Sequence, residues 1–138
     1  MMAVDTSALM AILLDEPEAG ACVAALEAEG DLLVSAGTVA EALIVAARRG
    51  LGAEMERLLD GLGFEIVPVT SASARRIAQT YERWGKGMHP ASLNFGDCFA
   101  YEVAKERKCG LLFVGTDFSK TDIGRGASKD KAARKKPR

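Results

Sequence analysis

The chain has little of what several common chemistries need. It holds one histidine, His89, so no two-histidine zinc motif is possible. A Ser-His-Asp triad would have to recruit that same residue from a polar loop before Pro90. Its three cysteines, Cys22, Cys98 and Cys109, are odd in number and scattered, which points to reduced, packed residues rather than a disulfide framework or a zinc site. Gly85-Lys86-Gly87 is too short and misplaced for a phosphate loop. No apolar stretch approaches the roughly 20 residues that span a bilayer. The N-terminus lacks the basic-then-apolar pattern of a secretory leader. The expectation is a cytoplasmic protein without a membrane segment.

What is present is an ordinary globular balance, 49% hydrophobic and 27% charged over 138 residues, enough for one domain with its own core. The net charge of −1 hides a polarity. From Arg125 onward seven basic residues face Asp130 alone, a net of +6, which leaves −7 on the rest. The reading is a domain over residues 1–124 and a basic, disordered C-terminal tail over 125–138. That tail is either a solvated end or an arm for non-specific phosphate contact.

Four short apolar runs read as strands: Met2–Asp5, Leu32–Ser35, Phe64–Val69 and Leu111–Gly115. Pro68 suits an edge position. Alanine-rich segments with helical spacing lie between them, with Val39, Leu43 and Ala46 on one face and Phe99 and Val103 on another. A further helix runs over Ser73–Trp84 and closes at Gly85 and Gly87. Alternating strands and helices predict an α/β domain with a parallel sheet, in which ligands bind beyond the carboxyl ends of the strands.

Acidic residues gather at those ends. Asp5 follows the first run, Glu41 the second, and Asp117 the last; Asp97 opens the helix after Leu93. Each also has a local explanation. Thr38-Val39-Ala40-Glu41 has the form of a capping box, Asn94 and Asp97 suit a helix start, Asp5 can cap the helix after it, and Asp117 can sit in a turn after Gly115. A crevice of carboxylates on so small a domain is costly unless a cation sits between them, and hard divalent cations are the candidates. Arg75 and Arg76 read as a solvated helix face, His89 as a loop anchor, and Trp84 as packed at a helix end or an interface.

Val4-Asp5-Thr6-Ser7-Ala8-Leu9 resembles the opening of the PIN domain family. His89 through Tyr101, with Leu93-Asn94-Phe95-Gly96-Asp97-Cys98 at its centre, is similar to the central motif of the VapC toxin branch. Leu111 through Ile123, with Asp117-Phe118-Ser119-Lys120-Thr121-Asp122, resembles its closing motif. Glu16-Pro17 and Thr38-x-x-Glu41 also fall where the family has them, so the resemblance runs from about Met2 to Ile123.

The resemblance implies a three-layer α/β/α sandwich with a mainly parallel central sheet. It implies an endoribonuclease dependent on Mg²⁺, with Mn²⁺ as substitute, that leaves 5′-phosphate and 3′-hydroxyl ends. It also implies a toxin held by a cognate VapB-like antitoxin, and a homodimer. By position, the metal-binding and catalytic acids are Asp5, Glu41, Asp97 and Asp117. Asp122 is the fallback for the fourth, because many members carry an acid where this chain has Gly115. Thr6 and Ser7 are implied to orient Asp5 or a water. The alternatives are a catalytically weak binding module acting through an antitoxin–operator complex, and a housekeeping nuclease or small-phosphoester phosphatase.

Overall fold

The computed structural model describes residues 1–123; the proposed basic tail lies outside them. Four short parallel strands form one sheet: β1 (Met2–Val4), β2 (Leu32–Ser35), β3 (Glu65–Val67) and β4 (Gly110–Leu112), in the order β3-β2-β1-β4. Ala3 pairs with Leu33 on one side and Leu111 on the other. Six helices connect the strands: α1 (Thr6–Leu13), α2 (Ala19–Ala28), α3 (Ala36–Arg48), α4 (Gly52–Leu62), α5 (Ser71–Trp84) and α6 (Phe95–Arg107).

Period-two alternation sends the strand side chains to opposite faces. Met2, Val4, Leu32 and Leu112 join α1 to α4 in one core. Ala3, Leu33, Leu111 and Phe113 join α5 and α6 in the other. Helices on both faces bury the central strands β1 and β2, which is why these read as unbroken apolar runs. This is the three-layer α/β/α sandwich that the sequence predicts.

The edges differ from expectation in instructive ways. β3 is shorter than the apolar run around it. Pro68 has no N–H to continue the ladder, and Phe64 turns into the core beside α4 instead. Glu65 and Ile66 are exposed, and Arg107 grips Glu65 through two bonds of 2.7 and 3.3 Å, placing charge along this edge. β4 stops at Leu112 because the Val114 N–H leaves the ladder for Ser7 Oγ at 3.0 Å, and Gly115 then takes φ +105°. Helix α5 begins two residues before the expected start, where Thr70 and Ser73 form a reciprocal cap.

On α3 the buried face is Thr38, Ala42 and Ala46, rotated from the expected Val39, Leu43 and Ala46. Arg76 is half-exposed rather than simply solvated. It pairs at 2.9 Å with Glu102, itself buried in α6, and at 3.3 Å with Glu106. Trp84 is buried and donates to the Tyr101 hydroxyl at 3.0 Å. His89 anchors its loop: Nδ1 accepts the Ala91 N–H at 2.9 Å, and the ring meets Trp84 edge-on at 4.6 Å.

In the strand order β3-β2-β1-β4, the chain leaves β1 toward β2 and returns on the other side as β4. The switch point is the gap between β1 and β4, where a crevice opens beyond the strand ends. Asp5 is the residue at that point.

Candidate active site

Asp5 ends β1 and caps α1. Its backbone N–H donates to Leu112 O at 3.0 Å, so β4 seats it. Oδ2 accepts the Ser7 N–H at 3.0 Å and the Ser7 hydroxyl at 2.7 Å. The same Ser7 oxygen accepts the Val114 N–H, so one hydroxyl ties the end of β1 to the end of β4. Asp5 is buried, and Oδ1 has no hydrogen-bond partner among the described residues. An orphaned carboxylate oxygen in the interior is expensive unless something positive or protonated meets it.

Asp97 enters through α6. Asn94 caps this helix by accepting the Asp97 N–H at 2.8 Å, while Asp97 Oδ2 accepts the Asn94 N–H at 3.0 Å. The reciprocal cap fixes the Asp97 carboxylate at the positive end of the helix and leaves Oδ1 outside the cap.

Glu41 arrives from the opposite layer, and by a different route from the one its local sequence suggests. Ser35, not Thr38, caps α3, accepting the Gly37 N–H at 3.1 Å. With the helix starting three residues earlier, Glu41 lies in its second turn, beyond reach of a capping box. Its Oε1 accepts the Thr6 hydroxyl at 2.7 Å, across 35 residues of sequence. Thr6 therefore orients Glu41, and Ser7 orients Asp5. Thr38 is left wholly buried, its hydroxyl without a partner among the described residues.

Two glycines let α3 and α6 meet here. A Cβ built on Gly96 would fall on the Glu41 carboxylate, and one on Gly37 would fall on the Phe99 ring. The sequence reading missed both. The only available signal was a glycine in the first turn of each helix, where nothing about helix formation calls for one.

Asp117 stands just before a 3-10 turn over Phe118–Lys120 and is exposed; it makes no capping bond. Its charge nevertheless reaches Asp97. Asp122, the fallback fourth acid, lies elsewhere. It accepts the Tyr101 hydroxyl at 2.5 Å and Lys105 Nζ at 3.1 Å, with Arg83 at 3.9 Å.

The electrostatics follow from this geometry. Burial pushes Asp5 up to about 7; the Asp97 charge adds to it, the Ser7 bonds oppose it, and Glu41 contributes a further rise. Burial pushes Asp97 up to about 6 against the Asn94 N–H, with Asp117 and Glu41 raising it again. The charges that raise these two acids, Asp97 and Glu41 on Asp5, Asp117 and Glu41 on Asp97, are all carboxylates. Asp122 is the opposite case. Burial raises its pKa, but the bonds from Tyr101 and Lys105 and the nearby cations prevail and hold it below the usual carboxylate range.

The donor set is all oxygen and mutually repulsive, which suits a hard divalent cation in ligand type and charge. Among the described residues no three His, Cys, Asp or Glu side chains already form a group that could hold a metal ion. The acids converge electrostatically, each of Asp5, Glu41 and Asp97 keeping one oxygen outside the hydrogen bonds that orient it.

A parallel α/β/α domain with buried acids at its topological switch point defines the class: an α/β fold with an acid-centred site beyond its strand ends. The PIN domain family model matches residues 2–124. The chain is 43% identical over 125 residues to the VapC ribonuclease Mb0640 of Mycobacterium bovis, covering 88% of this chain and 95% of the relative. The chain belongs to the PIN domain family. The crystal structure of Mycobacterium tuberculosis VapC20, a sarcin-ricin loop cleaving toxin, shares the fold with a TM-score of 0.72. It is 15% identical and covers 89% of this chain and 96% of that one. A toxin–antitoxin complex from Klebsiella pneumoniae matches with a TM-score of 0.65 at 18% identity, covering 88% and 93%. Among the described residues no helix is long and apolar enough to cross a membrane.

Proposed function

We propose that this chain is a VapC-type endoribonuclease, the toxin of a toxin–antitoxin pair, and that its activity depends on a divalent cation. The observation that carries the reading is Asp5: a buried carboxylate with an orphaned oxygen at the switch point of the sheet, its pKa raised by burial first and then by Asp97 and Glu41. The 43% identity to a VapC ribonuclease over most of the chain supports the activity class.

In this reading Asp5, Glu41 and Asp97 hold Mg²⁺ or Mn²⁺, with Asp117 as the fourth acid. A divalent cation supplies there positive charge against the phosphate oxygens and a lowered pKa for an attacking water. The chain's own residues do the rest. Ser7 fixes the oxygen of Asp5 that must not rotate away, Thr6 does the same for Glu41, and the Asn94 cap aims Asp97. Uncompensated, these acids repel an RNA backbone, so the site excludes its substrate until it is neutralised. Attack by water on the phosphorus, with the P–O3′ bond breaking and the 3′-oxygen leaving as the hydroxyl, gives a 5′-phosphate and a 3′-hydroxyl.

The protein partner is a VapB-like antitoxin. A groove of about 310 Å³ between α3 and α6, walled by Ala40, Ile44, Val45, Phe95 and Phe99, has Glu41 on its lining. An apolar segment of the antitoxin fits that groove, with an Arg or Lys facing the acids. Homodimer formation through the helices is the second association; Val23 of α2 is exposed and lies outside the antitoxin groove. Both act in the cytoplasm, where the RNA is.

The test is cleavage of a total-RNA pool by the purified protein with Mg²⁺, Mn²⁺ or EDTA, beside Asp97→Asn. Discrete bands that need the cation and vanish in the folded variant support the reading; a folded, fully active Asp97→Asn sinks it. One observation favours a second reading, a binding module acting through the antitoxin and its operator: the acids are not already closed around a point. Metal-loaded protein that leaves all RNA intact selects it.

A further inference from the structure

Asp117 is the acid whose placement needs explaining. It is exposed, and among the described residues its side chain accepts no hydrogen bond. Asp5, Glu41 and Asp97 are each aimed by a donor; Asp117 can be placed only by its backbone. That backbone belongs to a strap running from Val114 to Ile123, fastened at both ends. At the near end, Ser7 Oγ accepts the Val114 N–H. In the middle, Phe118 is buried against Phe113, with ring centroids 5.1 Å apart. At the far end, Asp122 accepts the Tyr101 hydroxyl at 2.5 Å, and that hydroxyl accepts the Trp84 indole N–H at 3.0 Å. Lys105 closes the other Asp122 oxygen at 3.1 Å.

The three α6 residues involved are Asp97, Tyr101 and Lys105. Their spacing is four and four, so they stand on one face of the helix, about 6 Å apart per step along its axis. The helix that carries a site acid at its first turn grips the strap one and two turns later. It therefore sets the distance between Asp97 and the segment that bears Asp117.

We propose that Tyr101 and Asp122 are positioning residues for Asp117, with α6 as the rigid spacer between the two acids. The role rests on the metal-centre reading above. Neither residue touches the substrate or the cation. They act by holding residues 115–121 in one place, so that the fourth carboxylate is already beside Asp97 when a cation binds. The same contacts explain why Asp122 is no ligand itself: its two oxygens are spent on Tyr101 and Lys105.

The experiment combines hydrogen exchange of the amides in 115–121 with Mn²⁺ affinity by calorimetry, on the full chain. The variants are Tyr101→Phe, Asp122→Asn, Asp117→Asn and the double variant Tyr101→Phe/Asp117→Asn, with melting temperatures as the control for folding. Tyr101→Phe keeps the ring and removes only the hydroxyl; Asp122→Asn serves if the phenylalanine variant is misfolded. The expected result is exchange at least about tenfold faster in the strap and Mn²⁺ binding about tenfold weaker in both single clamp variants. In the Asp117→Asn background the Tyr101 change should cost nothing further. Unchanged exchange overturns the proposal. So does unchanged Mn²⁺ affinity, or additive losses in the double variant. A wild type that binds no Mn²⁺ overturns the metal-centre reading instead, and the exchange readout alone then decides the strap.

Discussion

The Glu41 carboxylate lies in the space that a side chain at position 96 would occupy. The two residues come from opposite layers, one on the second turn of α3 and one on the first turn of α6, and only glycine lets them meet. Gly96→Ala therefore separates stability from activity. The displaced group is the end of a flexible side chain that can swing away. Alanine is also favoured over glycine within a helix by about 0.5–1 kcal/mol. The expected variant melts within a few degrees of wild type yet binds Mn²⁺ and cleaves RNA at least tenfold less well. Parallel melting curves and calorimetry check it.

Stability should fall as pH rises in the absence of metal. Asp5 and Asp97 bind protons more tightly folded, near 7 and 6, than unfolded, near 3.8. A raised carboxylate contributes stability that is present below its unfolded pKa and lost as pH climbs through its folded one. The window is pH 4 to about 7. The loss is of order 3 kcal/mol, because the two acids are coupled and their shifts do not add. In EDTA, melting at pH 8 should lie below that at pH 5, and millimolar Mn²⁺ at pH 8 should restore it. Asp97→Asn should melt above wild type at pH 8 and flatten the profile. A flat wild-type profile refutes the account.

Ser7→Ala and Thr6→Val remove hydroxyls of similar size with different consequences. Ser7 satisfies both Asp5 and the Val114 N–H, so its loss should destabilise by about 1–3 kcal/mol and weaken the metal site together. Thr6 serves only Glu41, and valine keeps its shape, so stability should change by under about 1 kcal/mol while RNA cleavage falls. Denaturant titrations beside cleavage rates distinguish the two.

Arg76→Ala tests a part of the molecule away from the acids. It leaves Glu102, 5% exposed, buried beside Glu106 without its cation. With Arg76 itself partly exposed, the loss should be about 2 kcal/mol rather than the larger figure for a fully buried pair. Glu102→Gln in the same chain should recover part of it. Mn²⁺ affinity should stay near wild type wherever the variant is folded.

The layers were legible because parallel strands buried on both faces leave continuous apolar runs, and the helices between them keep their period. The Asn94–Asp97 cap was legible because its partners are three residues apart. The local explanation for Glu41, a capping box with Thr38, failed for the corresponding reason. Thr38-x-x-Glu41 mimics a local cap, but Ser35 starts the helix and Thr6, far away in sequence, takes the carboxylate. Arg76 was misread likewise, since nothing near it announces Glu102. Local rules name caps and faces; which carboxylate meets which donor is decided only when the layers stack. Asp117 and Asp122 were separable only in three dimensions, where one is held by Tyr101 and the other by nothing of its own.

The Ser7 hydroxyl meets Val114, 107 positions away in the chain. Asp5 follows the first strand, yet the backbone that seats it, Leu112, and the amide that steadies its donor, Val114, lie at and just past the end of the fourth. A product cut short before Leu112 lacks the backbone that seats Asp5, so the acid site depends on both ends of the domain being present.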